Sequence, residues 1–212
     1  MTRDASASKI RKISVLGVFV AIIIIQTAVP GWGYITIGPL SITLIHITVI
    51  AGSLVYGAPV GVVLGLIWGL LSMTRAIVAP TGLLTPLMRD PLVSVVPRAV
   101  VGLAPAYLCG FFNFIMKPFP GGPSVKRALA YSLCGAAGAV INTVFVLGGI
   151  YLLHRGSSVW ARNGYPDSAA ARALLLGIAV TNGVPEAISG FIIVPAIAQP
   201  LKFLDESRKT PR

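Results

Sequence analysis

Charge is what this chain has least of. Only 11% of its 212 residues are Asp, Glu, Lys or Arg, against about 25% in a soluble domain. Acids are scarcer still, six against 17 Lys plus Arg, which leaves a formal net charge of +11. Two cysteines and two histidines complete the reactive inventory. That excludes a disulfide scaffold. No HExxH, no paired-Asp motif and no GxxxxGK[ST] phosphate loop occurs, so neither zinc hydrolysis nor ATP chemistry has a signature here, and nothing calls for a cofactor or a metal. With 55% hydrophobic residues and a mean hydropathy of +0.86, the chain cannot cover itself with a water-facing surface. The isoelectric point near 10.3 therefore does not indicate a nucleic-acid binder of the basic-face kind.

What is present is apolar sequence in long runs. Ile13 to Thr74 is 62 residues without a single Asp, Glu, Lys or Arg, and a bilayer core of about 30 Å takes about 20 residues per helix. Pro30-Gly31-Trp32-Gly33-Tyr34 and Tyr56-Gly57-Ala58-Pro59 divide the run, since Pro removes a donor and Gly relaxes the backbone. Further apolar stretches follow at 91–116, 128–153 and 173–201. The expectation is an all-α membrane protein, a single membrane domain over 1–212, with six transmembrane helices at 10–30, 40–56, 58–77, 93–116, 127–153 and 173–199. Period-two alternation in ten-residue segments, the mark of a membrane barrel, is absent.

Basic residues set the expected orientation. Arg3, Lys9, Arg11 and Lys12, then Lys117, Lys126 and Arg127, then Lys202, Arg208, Lys209 and Arg212 all fall at one end of an even-numbered bundle. By the positive-inside bias that end is cytoplasmic, with both termini, and its charges touch anionic lipid. No cleaved leader is expected, because the first apolar run is long and lacks a small-residue cleavage site. Arg75, Arg89, Arg98, Arg155, Arg162 and Arg172 are left for the opposite face.

The bias gives those outer arginines no reason to be there. For Arg89 the plain reading is headgroup contact and a local pair with Asp90. Arg98 follows Pro97 at the start of the fourth span, where a guanidinium usually faces the protein interior and could take a ligand carboxylate through two parallel bonds. Arg75 is its candidate helper. Asn142 lies midway along the fifth span, and Asn182 and Glu186 share a face of the sixth, one turn apart. Pro185 between them frees the Thr181 carbonyl. These polar groups either fix helix packing among themselves or line a cavity; Glu186 either accepts from a ligand or neutralises Arg98.

Aromatics offer walls. Trp32 and Tyr34 sit in the Gly-rich first connection, as a cover or as part of the interfacial belt, and Trp68 lies below the outer end of the third span. Trp160 and Tyr165 are assigned to the belt. Gly57, Gly61, Gly65 and Gly69 form a smooth stripe at four-residue spacing, and Gly17 with Ala21 forms a shorter one on the first helix. Such stripes either pack against a helix of the same bundle or dock a separate membrane subunit. Cys109 and Cys134 are read as small hydrophobes, possible neighbours at the inner end.

Taken together, these residues carry a family resemblance. Gly38-Pro39-Leu40-Ser41-Ile42-Thr43 leading to His46, the run Tyr56-Gly57-Ala58-Pro59-Val60-Gly61, and Pro97-Arg98-Ala99-Val100-Val101-Gly102 resemble, in order and spacing over the whole chain, the substrate-binding S components of energy-coupling factor (ECF) vitamin transporters. Gly17 and Ala21 correspond to the small-residue pair by which that family docks its coupling subunit, with Gly replacing Ala at the first position. The resemblance implies a subunit that captures a vitamin from outside and delivers it by reorienting on a module of one transmembrane coupling subunit and two ATPase subunits. Pantothenate is the implied substrate, its carboxylate on Arg98 with help from Arg75, its amide and hydroxyl groups on Asn142 and Asn182, with Trp32, Tyr34, Trp68 and Glu186 around it.

Cobalamin is the rival substrate within the same family. An intramembrane enzyme would need a nucleophile and base or clustered acids, and His46 in the second span reads as a core residue rather than a base. A scaffolding subunit without a ligand is the remaining alternative.

Overall fold

A computed structural model describes residues 2–37, 40–80, 84–162 and 168–207. Helix α1 (Thr2–Ala28) leads into a two-stranded antiparallel hairpin, β1 (Tyr34–Ile37) and β2 (Leu40–Thr43), paired Tyr34 with Thr43 and Ile37 with Leu40. Helices α2 (Ile45–Tyr56) and α3 (Ala58–Val78) follow. A 3-10 turn at Thr85–Arg89 precedes α4 (Pro91–Ser94) and α5 (Val96–Ile115). Then come α6 (Pro123–His154), the short α7 (Ser158–Arg162) and the long α8 (Ser168–Ser207).

Five helices are long and apolar enough to cross a membrane, at Ile10–Ala28, Ala58–Val78, Pro91–Ile115, Pro123–His154 and Ala169–Ser207. The expected second span, 40–56, is not a single helix. Its first part is strand β2, and α2 is a 12-residue helix about 18 Å long, too short to cross alone. Hydropathy cannot see this difference, because Tyr-Ile-Thr-Ile and Leu-Ser-Ile-Thr are as apolar as a span while their β-branched residues suit a strand. The Gly38-Pro39 pair between the strands lies outside the described residues.

Every residue from Ile45 to Val55 is buried, as expected of a helix that is apolar all round. α2 is thus the axis of the main core, with Phe19 and Ile23 of α1, Leu64 and Trp68 of α3, Val101 of α5 and Val194 of α8 around it. Elsewhere α1 turns Ile13, Val18, Ile22, Ile24 and Ile25 outward, an apolar face suited to lipid.

Glycine sets the closest helix crossings. A methyl group on Gly61 would overlap the Gly102 carbonyl, one on Gly65 the Arg98 carbonyl, and one on Gly69 would press on Val95, all in or just before α5. Gly135 of α6 and Gly190 of α8 meet in the same way. Partner docking through Gly61, Gly65 and Gly69 is therefore corrected: the stripe is buried inside the bundle by α5. Gly57 is set apart by its φ of 92°, where it turns the chain from α2 into α3.

The fourth expected span, 93–116, corresponds to the segment Pro91–Ile115, with a one-residue turn at Val95 between α4 and α5. Pro97 is the reason: it lacks the N–H that would bond the Val93 carbonyl four residues back, so a new helix starts there. α6 and α8 begin earlier than expected, and α8 continues through Pro185, Pro195 and Pro200. The three basic clusters do converge at one end, where Arg11 pairs with Asp205 and Arg127 pairs with Glu206 at 3.1 Å. Arg208, Lys209 and Arg212 lie outside the described residues.

Candidate functional site

At the end of the bundle away from that ion-pair cluster, the hairpin, α3, α5, α6 and α8 bring polar side chains into a buried group. The carbonyl that Pro97 leaves free is taken by its neighbour: Arg98 Nη1 donates to Val93 O at 2.9 Å. The side chain is thereby held inward, 5% exposed, with its guanidinium carbon 5.2 Å from the centre of the Trp68 ring. Trp68 is itself fully enclosed on α3. Arg98 Nε has no hydrogen-bond partner and no carboxylate lies within 4.0 Å of the guanidinium among the described residues. A buried cation without a carboxylate beside it is costly.

Tyr34 links the hairpin to α3. Its hydroxyl lies 3.0 Å from Ser72 Oγ and accepts a long bond, 3.4 Å, from Trp68 Nε1, while its ring carries the Arg75 guanidinium at 4.2 Å. Thr43, directly opposite Tyr34 in the hairpin, donates its backbone N–H to Glu186 Oε1 of α8 at 2.6 Å. Glu186 is 4% exposed, and Thr143 of α6 lies beside the same carboxyl. It is therefore an anchor for the hairpin and forms no direct ion pair with Arg98. Asn142 on α6 is also buried, and its Oδ1 has no partner among the described residues. Asn182 is half-buried one turn before Glu186.

One expected wall is not in the group. Trp32 is 65% exposed, facing away while Tyr34 faces in. Gly33 between them passes so close to Gln26 and Ile45 that a methyl group there would overlap the Gln26 carbonyl, and this contact fixes which aromatic turns inward. Trp160 is likewise corrected from the interfacial belt to the interior: it is buried and donates through Nε1 to His154 O at 2.6 Å. Tyr165 lies outside the described residues. Asp90 pairs with His154 at 3.0 Å and caps α4 through Leu92 N at 2.8 Å, while Arg89 donates to Ala76 O at 3.2 Å, so the expected Arg89 to Asp90 pair is not made.

Thr43, Ser72 and Thr143 were not evident as site residues from sequence. Single hydroxyl residues in apolar runs carry no spacing signal, and the bond from Thr43 to Glu186 spans 143 positions. His46 sits at the core face of α2, fully buried. Among the described residues no group of three or more His, Cys, Asp or Glu could hold a metal ion.

Gly17 and Ala21 lie exposed on the outer face of α1, and no heavy atom comes within 4 Å of a methyl group placed on Gly17. Cys109 and Cys134 are free thiols that lie near each other, neighbours as anticipated; Asn113 donates to Cys109 Sγ at 3.2 Å and Cys134 Sγ donates to Pro105 O at 3.9 Å.

Comparison with known proteins bears directly on this arrangement. The family described as "ECF transporter, substrate-specific component" matches residues 11–198. A pantothenate transporter PanT of Leuconostoc mesenteroides is 31% identical over 203 residues, covering 92% of this chain and 94% of that protein. A pantothenic acid transporter PanT of Lactococcus lactis subsp. cremoris is 27% identical over 212 residues, covering 92% and 95%. Family and relatives are transport components rather than enzymes. The chain belongs to the substrate-specific components of ECF transporters, multi-pass proteins of the bacterial cell membrane that work with a membrane-embedded ECF module.

Proposed function

We propose that this chain is the pantothenate-binding S component of its transporter. Arg98 carries the reading: a buried guanidinium with one backbone bond and no carboxylate partner among the described residues matches a small anionic vitamin. Charge-assisted, bidentate pairing supplies both affinity and orientation. Arg75, Asn142, Asn182, Tyr34 and Trp68 complete the site, and Glu186 holds the hairpin over it. The names of two relatives that span almost the whole chain support pantothenate over cobalamin.

In this reading α2 and the hairpin together make the second of six membrane segments, both termini are cytoplasmic, and the site opens outward. Gly17 and Ala21 dock the coupling subunit, whose two ATPase partners supply the energy for reorientation. Titrating the purified protein with radiolabelled pantothenate, with unlabelled cobalamin as competitor, tests the assignment. Saturable binding that pantothenate displaces and cobalamin does not is the expected result; absence of saturable binding overturns it.

A further inference from the structure

A cavity of about 460 Å³ lies at the end of the bundle opposite the Arg98 group. The first half of α1 contributes Arg11 and Lys12, the last turn of α2 Leu54 and Val55, the turn after it Gly57, and the end of α8 Lys202 and Asp205. It is separate from the Arg98 group, since Cys109, on its α5 wall, lies about 16 Å farther along that helix than Arg98. Asp205 is engaged by Arg11. Two cations remain. Lys12 forms no ion pair among the described residues, and Lys202 reaches only the Val55 carbonyl, at 3.5 Å.

Two ammonium groups without an ion-pair partner among the described residues, around one cavity, form a set that suits a phosphate group. We propose that the cavity is a phosphate site, filled by the headgroup of an anionic glycerophospholipid, with Lys12 and Lys202 on the phosphate oxygens. The lipid source follows from the surroundings. Ile10 and Ile13, 65% and 70% exposed, flank Arg11 and Lys12 on the outer side of α1 and give the acyl chains an apolar track beside the headgroup. Basic pockets between membrane helices are suited to acidic headgroups in this way.

Native mass spectrometry of the full-length protein in detergent, with equimolar phosphatidylglycerol and phosphatidylcholine added, tests the site. One phosphatidylglycerol is expected to be retained in clear preference to phosphatidylcholine. K12A/K202A should weaken that retention about 30-fold, the effect of two juxtamembrane cations, and K12R/K202R should restore it. K117A/K126A removes the same charge outside the cavity and should leave retention unchanged. Equal retention of both lipids by the parent protein overturns the proposal, as does a K117A/K126A loss matching that of K12A/K202A. Displacement of the lipid by millimolar inorganic phosphate overturns the lipid assignment. None of these readouts involves vitamin binding, so the site stands or falls independently of the pantothenate reading.

Discussion

Arg98 is positioned by the residue before it: Pro97 withholds the N–H that the Val93 carbonyl would accept in a continuous helix, and the Arg98 guanidinium donates to that carbonyl instead, at 2.9 Å. A helix break thus becomes an orienting contact for a buried cation. R98A should weaken pantothenate binding roughly 30-fold to 3,000-fold, the range for truncating one side of a buried charge pair. R98K keeps the charge but loses the planar fork, and should recover only part of the affinity. P97A restores a competing N–H, so isothermal titration should show weaker binding with no loss of thermal stability. Unchanged affinity in P97A would show that the Val93 contact does not position Arg98.

Glu186 separates anchoring from charge. Its Oε1 accepts the Thr43 N–H at 2.6 Å, and an amide oxygen can do the same. E186Q should therefore melt close to the parent protein, and should bind an anionic vitamin as well or better, because a negative charge near Arg98 is removed. E186A leaves the buried N–H unmade, which costs about 1–3 kcal/mol, and its Tm should fall by roughly 3–10 °C. Equal melting of E186A and the parent protein would remove Glu186 as the hairpin anchor.

Tyr34 does two jobs that substitution can divide. Y34F keeps the ring under Arg75, 4.2 Å away, and loses only the hydroxyl contacts to Ser72 and Trp68. Affinity should drop about fivefold, the worth of one net hydrogen bond. Y34A also releases Arg75 and opens the wall, so its loss should be clearly larger. W32A serves as the comparison, since Trp32 is exposed and outside the group; its affinity should stay within about twofold of the parent, within the range of a surface substitution.

How much of this was legible in the sequence depends on the kind of signal. Long charge-free runs marked where helices lie, and a charge within such a run singled out Arg98, since both signals are local and one-dimensional. The hairpin was hidden because hydropathy scores Tyr34–Ile37 and Leu40–Thr43 like a helix. The glycine spacing announced a smooth face on α3 without saying what covers it; the answer is Gly102 and the Arg98 backbone on α5. The Thr43 to Glu186 bond, joining β2 to α8, has no sequence signature. Opposite orientations of Trp32 and Tyr34 follow from the tight passage of Gly33 against Gln26, a contact between segments that no local pattern encodes.

Glycine substitutions distinguish packing from docking. G65A places a methyl group onto the Arg98 carbonyl; overpacking of this kind costs about 1–3 kcal/mol, which outweighs the roughly 0.5–1 kcal/mol that alanine gains over glycine in a helix. G65A should therefore melt lower and, because the strained backbone belongs to Arg98, also bind pantothenate less tightly. Gly17 has no heavy atom within 4 Å of such a methyl group, so G17A should melt at or above the parent temperature. G17L adds bulk to the same exposed face without touching the bundle. It should bind pantothenate normally in isolation and fail to co-purify with the ECF module, whereas intact assembly by G17L would place the docking surface on another helix.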